Sequence, residues 1–255
     1  MPDPIQVIDN LAGRVTNRLL TRFPGPMVEV RTDTPIVSFT FDDVPDTALS
    51  KGAGILEAHG GRGTFYIAAG MLGREEEARN LIDAAGCAEL VARGHEIGCH
   101  THSHINLRHA SRRQLYNDLS HNADALAAIS PNLQPRNFAF PYNSGSFRQR
   151  AELARRYRSS RGGLPGINRG MTDRSFLRSY PLQQPDESVL GMRGLIDEAV
   201  SNPGWLIFFG HDLSPNPTPY GCTAESFEGL VRHARERGCA LLTVNQALDH
   251  FEATT

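Results

Sequence analysis

The sequence predicts an α/β fold in which parallel β/α units close into a barrel of seven or eight strands. Short apolar runs alternate with helical patterns along the chain, as expected of parallel strands joined by crossover helices. The chain has 255 residues, a length at which one α/β barrel is as common as two smaller domains. It contains no internal repeat and no low-complexity tract, and a single domain is therefore the prediction.

The predicted elements follow in order. Residues 1–34 form a leading arm, partly helical over 5–20 and interrupted by FPGP, and residues 35–255 form the barrel. Apolar runs predict strands at residues 36–41, 64–68, 95–99, 137–140, 158–161, 175–180, 205–210 and 240–244. Helical patterns predict helices at residues 48–59, within 75–93, and at 111–130, 147–157, 188–202 and 224–237. Ser111 and Gln114 form the capping-box pattern that starts the third of these helices.

The composition is ordinary for a globular protein, with 40% hydrophobic residues, 21% charged residues and a formal net charge of −2. This balance indicates neither a nucleic acid nor a membrane as partner, and it leaves the oligomeric state open. The four cysteines include no Cys-x-x-Cys pair, so a thiolate zinc site has no support. The N-terminal segment lacks the apolar core of a signal peptide. We therefore expect a cytoplasmic protein, unless a leader has been removed.

The segment CHTHSH, Cys99–His104, follows the third predicted strand and places three histidines within five residues. On a strand, His100, His102 and His104 lie on one face, whereas on a helix His100 and His104 alone do. His100 and His104 therefore lie on the same face in either conformation and are candidate metal ligands. A histidine pair alone also fits a buried or surface cluster, so a third ligand must come from elsewhere.

Acidic and polar residues fall at the predicted carboxyl ends of other strands. Asp42 and Asp43 follow the first strand, Tyr142 follows the fourth, and His211 follows the strand WLIFFG. In β/α barrels the catalytic residues gather at this end of the strands. The sequence therefore predicts one site built from these residues and the histidine segment, although they are far apart in the chain.

The Asp42-Asp43 pair supplies the missing ligand. Paired aspartates often cap helices or form turns, but adjacent carboxylates repel each other unless a cation lies beside them. Asp43 with His100 and His104 would form a set of two histidines and one carboxylate that leaves coordination positions open. Asp42, beside the metal, could then take a proton from water.

These motifs, in this order and spacing, resemble the polysaccharide deacetylases, also described as the NodB-homology domain or carbohydrate esterase family four. The matching elements are TFDD, HTHSH, FPY and FGH, and the resemblance spans about residues 36–250. It implies a distorted (β/α) barrel and a metal-dependent hydrolase that removes N-acetyl groups from an amino-sugar polymer or oligomer. The implied cofactor is one divalent metal, zinc above all, with cobalt, manganese or nickel as alternatives. The implied partner is an N-acetylated carbohydrate.

The resemblance also implies a role for each matching residue. Asp42 takes the place of the general base, and the metal ligands are Asp43, His100 and His104. A metal ion lowers the pKa of water and so provides a nucleophile at neutral pH.

Two further positions match residues that act on the acyl group and the leaving amine. Tyr142 falls where the family offers a backbone N–H to the oxyanion. His211 falls at the general acid, which an amide needs because its nitrogen is a poor leaving group until protonated. His102 stands where relatives carry another residue, often aromatic, and we expect it in packing or around the ligands.

The sequence also departs from the family pattern. Val44 stands where many relatives have glycine, and Ala139 stands where they carry an arginine two residues before the proline. In relatives that arginine orients the catalytic aspartate; Arg161 and Arg169 are the candidates to replace it here. The family's Asp-and-Trp signature is missing, and Trp205 falls inside a predicted strand. These departures put the substrate in question more than the reaction.

Three other functions remain open. A metal-dependent amidohydrolase barrel also uses a His-x-His element, but there it normally follows the first strand. A related hydrolase could cleave a different C–N bond, in a formyl group or a small cyclic amide. A catalytically silent sugar-binding relative would be expected to have lost a ligand, the base or the acid, whereas this chain has all of them.

Overall fold

Strands and helices alternate through the part of the chain that the computed structural model describes, residues 12–13, 15–182 and 186–253, of which residues 186–190 are described by their backbone alone. The strands are β1 Met27–Val30, β2 Ile36–Asp42, β3 Thr64–Ile67, β4 Glu96–Cys99, β5 Asn137–Ala139, β6 Ser159–Arg161, β7 Gly170–Asp173, β8 Tyr180–Pro181, β9 Trp205–Gly210 and β10 Ala240–Leu241. Helix α1 is a π-helix over Ala48–Ala53 that continues as an α-helix over Gly54–Ala58. The other helices are α2 Ala84–Ala92, α3 Arg112–Ile129, α4 Phe147–Arg156, α5 Asp186–Ser201, α6 Ala224–Glu236 and α7 Val244–Ala253. None of the described helices is long and apolar enough to cross a bilayer.

Seven parallel strands form one curled sheet in the order β6-β5-β4-β3-β2-β9-β8. β10 joins this sheet beside the start of β2, where Ala240 lies opposite Ile36. Leu177, in the segment that leads to β8, pairs with the β6 edge: its N–H donates to the Ser160 carbonyl over 2.8 Å, and its carbonyl accepts from the Gly162 N–H over 3.0 Å. The sheet is thus a half-barrel. The predicted single-domain α/β barrel class is confirmed.

The alternation of side chains along β2 places Asp42 inside the half-barrel. Phe39 and Phe41 lie on the outer side, where both rings contact Phe227 of α6 at centroid distances of 5.3 and 5.5 Å. The alternate positions, Ser38 and Asp42 among them, therefore face the lumen of the half-barrel. Every residue of β2 is buried, as expected of a central strand in a parallel sheet.

Several boundaries differ from the sequence prediction. The predicted strand at 175–180 is largely a loop that ends in β8, and the predicted helix within 75–93 is confined to α2. The strand prediction at 240–244 is correct for β10 alone, because helix α7 begins at Val244. Its buried residues have the spacing of a helix that packs one face on the core, a signal that the strand prediction overlooked: Val244, Ala247, Leu248 and Phe251.

The leading arm contains one element that the sequence did not predict. β1 pairs antiparallel with β7, so that Val28 lies opposite Thr172, and Val28 and Val30 pack against the core. Of the predicted helix over 5–20, residues 12, 13 and 15–20 are helical, and the other positions lie outside the described residues. The division into an arm and a barrel at residue 34 stays a prediction.

Trp205 gives a direct test of packing at the amino end of the barrel. Its side chain is fully buried, contacts Phe251 at a centroid distance of 5.5 Å, and donates from Nε1 to Ser38 Oγ over 2.8 Å. We expect Trp205→Phe to lower the free energy of unfolding by about 1–3 kcal/mol, because it creates a cavity and leaves the serine unpaired. Urea unfolding followed by circular dichroism measures this. The double variant Trp205→Phe/Ser38→Ala should recover part of the loss, and an unchanged midpoint for Trp205→Phe would contradict the packing described.

Candidate active site

The chain turns sharply at the carboxyl end of β2. Asp43 and Val44 have φ angles of 57° and 55°, in the left-handed region where a side chain other than glycine costs about 1–2 kcal/mol. The Val44 side chain is fully buried in the core, which helps to hold the turn. As a result Asp42 ends the inward row of β2, while Asp43 lies beside the histidine segment.

Asp43, His100 and His104 form a compact cluster in which one ligand atom of each residue lies within 4.8 Å of the others. Asp43 Oδ1 is 3.3 Å from His104 Nε2 and 3.7 Å from His100 Nε2. The histidine segment is neither of the two conformations that the sequence allowed, because Thr101 and His104 have φ angles of 63° and 52°. The two imidazoles are nevertheless adjacent, with ring centroids 4.9 Å apart. This bent loop places them together.

The donor set of this cluster fits a divalent metal. Asp43 Oδ1 is buried and has no hydrogen-bond partner among the described residues, although two imidazole nitrogens face it. His100 Nδ1–H donates to the Ala139 carbonyl over 2.9 Å, so its Nε2 can present a lone pair toward the carboxylate. One carboxylate and two imidazoles are ligands that zinc and its first-row neighbours accept.

Protonation states favour the same conclusion. Burial and the adjacent His100 lower the pKa of His104 to about 4, so this imidazole is neutral at pH 7. Burial alone would raise the pKa of Asp43, but His100, His104 and His211, together with Arg79, hold it below its usual range. A neutral imidazole and an ionised carboxylate are the forms that bind metals.

Arg161 lies against Asp42 inside the barrel. Its Nη2 donates to Asp42 Oδ2 over 2.5 Å, and its Nη1 donates to Asn143 Oδ1 over 2.9 Å. The guanidinium is fully buried and lies 4.5 Å from the ring centroid of Phe209. Asp42 Oδ1 is buried and has no partner in the described part of the chain. One oxygen of Asp42 is therefore held in place, and the other remains available to accept a proton.

Of the two arginines that the sequence proposed for this role, the structure brings only Arg161 to the site. Arg161 lies on β6 as the register partner of Ala139 on β5. Arg169 instead donates to the Asn202 carbonyl and the Glu198 carboxylate. The neighbouring Asn168 pairs with the first residue of β9, at the amino end of the barrel, whereas the site lies at the carboxyl end. The expectation for Arg169 is corrected on this ground.

Tyr142 and His211 complete the group that the sequence predicted. The Tyr142 ring contacts His104 at a centroid distance of 4.6 Å, and the Tyr142 N–H donates to no other described residue. His211 Nδ1–H donates to the Tyr220 carbonyl over 3.2 Å, so that Nε2 faces Asp43 Oδ2 at 3.8 Å. Burial lowers the pKa of His211, while the nearby Asp42 and Asp43 oppose that shift.

The sequence did not reveal Arg79 or Asn17. Arg79 Nη2 donates to Asp43 Oδ2 over 2.9 Å and its Nε donates to Glu76 Oε2 over 2.7 Å, which fixes the Asp43 carboxylate through the oxygen that His100 and His104 do not face. Asn17, in the arm, donates to the Asn143 carbonyl and accepts from the Gly145 N–H, so the arm braces the loop of Tyr142. A single sequence carries no local signal for either contact, since both residues are distant in the chain from what they hold.

Comparison with known proteins agrees with this geometry. Residues 29–157, half of the chain, match the family model described as polysaccharide deacetylase. The chain belongs to the polysaccharide deacetylase family. The resemblance inferred from the motifs is thereby confirmed, and the matched span contains Asp42, Asp43, His100, His104 and Tyr142.

Relatives of this polysaccharide deacetylase family member extend the comparison. It is 26% identical over 228 residues to the uncharacterized protein YlxY of Bacillus subtilis (strain 168), a match that covers 89% of this chain and 61% of YlxY. The chain therefore spans less than two thirds of that relative's length.

Two solved structures share its fold. A Mycobacterium smegmatis protein named as a polysaccharide deacetylase is 14% identical, with a TM-score of 0.68 and coverage of 91% and 95% of the two chains. A family 4 acetyl xylan esterase from Clostridium thermocellum, in complex with a cobalt ion, is 20% identical, with a TM-score of 0.60 and coverage of 84% and 91%.

Proposed function

We propose that this protein is a metal-dependent hydrolase that removes N-acetyl groups from an amino-sugar polymer or oligomer. The observation that carries the proposal is the cluster of Asp43, His100 and His104, set beside a buried Asp42 oxygen that has no partner among the described residues. Family membership supports the reaction type. The cobalt ion in the Clostridium thermocellum relative supports a divalent metal in proteins of this fold, and zinc suits the donor set here.

The reaction assigns one task to each side chain. A metal held by Asp43, His100 and His104 would polarise the acyl carbonyl and acidify water. Asp42 Oδ1 accepts the proton of the attacking water, while Arg161 holds Oδ2 and keeps the carboxylate in one orientation. No side chain needs to be acylated.

Two groups act on the acyl oxygen and nitrogen. The Tyr142 N–H, which has no acceptor within the described residues, donates to the oxyanion as charge develops there. His211 acts in its protonated form, in which Nε2–H delivers its proton to the amide nitrogen, and its Nδ1–H bond to the Tyr220 carbonyl fixes the plane of the ring. The amine can then leave as a neutral group.

Acyl release with the metal stripped and restored tests this function. Acetate should appear from N-acetylglucosamine oligomers with the metal present and should stop when a chelator removes it. His104→Ala should lose both metal and acetate release, because Asp43 and His100 would remain as two ligands. His59→Ala, a histidine outside the site, is the matched control and should behave as the wild type. Release of formate or opening of a small cyclic amide, with no acetate from any sugar, would contradict the proposed substrate.

A further inference from the structure

A groove of about 450 Å³ lies between α3 and α4, and most of its walls are arginine and tyrosine side chains. The residues that define this arginine groove are Arg112, Arg113, Tyr116, Arg148 and Arg155. The Arg156 guanidinium lies 4.3 Å from the ring centroid of Tyr116, which is 55% exposed. The net charge of −2 for the whole chain conceals this local excess of positive charge.

The described residues balance only part of the positive charge of the groove. Within the described residues, Arg112, Arg113 and Arg148 have no ion-pair or hydrogen-bond partner for their guanidinium groups. Glu152 is the only acidic residue among the described ones that line the groove, and it is already engaged by Arg155 and by Arg156, whose Nε lies 2.8 Å from Glu152 Oε1. Three uncompensated guanidinium groups therefore remain to receive an anion.

These arginines lie at helix amino termini, where positive charge is unfavourable. Arg112 and Arg113 begin α3, Arg148 is the second residue of α4, and neither helix has an acidic residue in its first turn. Positive charge at a helix amino terminus opposes the helix dipole. An anion bound among these side chains would offset the unfavourable interaction with the helix dipole and the repulsion between the guanidinium groups. Without a bound anion, both unfavourable interactions remain.

The groove begins at the catalytic end of the barrel. α3 follows the loop that holds His104, and α4 follows the loop that holds Tyr142, so both helices start at the rim of the candidate active site. A polymer with one acyl group at Asp42 could therefore extend its neighbouring units toward Arg112 and Arg148.

We propose that the arginine groove binds anionic groups along the polymer, so that the substrate class is an N-acylated glycan that also carries carboxylate or phosphate groups. Guanidinium groups match both anions through paired hydrogen bonds, and the exposed Tyr116 ring offers a face for a sugar. The groove is concave, which suits a chain that lies within it and not the flat surface of a bilayer. The proposal rests on the proposed function, since it specifies the charge of the polymer that this site takes.

Binding measured without turnover tests the groove. The probes are labelled oligosaccharides of alternating N-acetylglucosamine and glucuronate, and neutral N-acetylglucosamine oligomers of equal length, with metal-loaded protein that carries Asp42→Asn in every sample so that the probes are not hydrolysed. The test variant is Arg112→Gln/Arg113→Gln/Arg148→Gln. The matched control is Arg31→Gln/Arg136→Gln/Arg232→Gln, which removes equal charge from exposed arginines outside the groove. We expect the test variant to bind the acidic probe about tenfold more weakly than wild type and control, and the wild-type preference to decline with added salt.

Three results would overturn the proposal. They are equal binding of the acidic probe by wild type and test variant, an equal loss in the control variant, and arginine-dependent binding to vesicles of phosphatidylcholine and phosphatidylglycerol without any to the acidic oligosaccharide. A protein that releases no acetate from any oligomer, yet binds the acidic probe through these arginines, would refute the proposed function and still support the groove.

Discussion

Replacing Asp42 with asparagine is expected to lower kcat for acyl release by about 10²–10⁴-fold, the contribution typical of a positioned general base. Asparagine has nearly the same shape and can still accept the Arg161 hydrogen bond, but its amide cannot take a proton from water. Steady-state acetate release from an N-acetylglucosamine oligomer measures the effect. KM should change little, because Asp42 is assigned to the chemical step and not to binding.

Metal content distinguishes the loss of the general base from a disruption of the site as a whole. Asp42 is not among the three clustered ligand residues, which are Asp43, His100 and His104. Metal content after dialysis should therefore match the wild type in Asp42→Asn and fall in His104→Ala. If Asp42→Asn retained turnover, or lost its metal, the assignment of Asp42 as base would be wrong.

Arg161→Met is expected to reduce both stability and activity. Removing one partner of a buried ion pair typically costs about 3–5 kcal/mol, because the remaining charge is left unpaired. Arg161 is fully buried and Asp42 nearly so, with a direct Nη2–Oδ2 contact of 2.5 Å. An unpaired buried carboxylate tends to acquire a proton, and in that form it could not act as a base. Urea unfolding and acetate release measure the two effects.

Two comparisons show whether the pair is responsible. Arg169→Gln is the matched control, because Arg169 is bound to Glu198 and Asn202 at the other end of the barrel, and it should leave turnover at the wild-type level. Arg161→Met/Asp42→Asn leaves no unpaired charge and should recover part of the lost stability. An additive double variant would show that Arg161 stabilises the fold independently of Asp42.

The sequence predicted the parts of the fold that local patterns determine. The apolar runs of β2 and β9 and the capping box at Ser111 are legible because burial and capping act on neighbouring residues. The capping box is present, with Ser111 and Gln114 each bonding the other's backbone. The short β8 and β10 were misjudged in length, since two-residue strands have no periodicity of their own.

The sequence predicted the residues of the candidate site that belong to motifs at strand ends. It did not predict contacts between loops that are far apart in the chain. Asp43, His100 and His104 come together as the motifs suggest, although the bend at Thr101 was not foreseen. Arg79 reaches Asp43 from a stretch that the sequence assigned to a helix. Such contacts depend on how separate loops pack, which no periodicity or propensity encodes.

The register of β5 and β6 has a consequence for how such sites are recognised. Ala139 and Arg161 are paired across two parallel strands, so side chains at either position enter the same layer of the lumen. A positively charged side chain on either β5 or β6 can therefore reach Asp42. A sequence motif that requires arginine at position 139 would not match this protein. A comparison of the side chains that surround Asp42 in space would find the arginine at position 161.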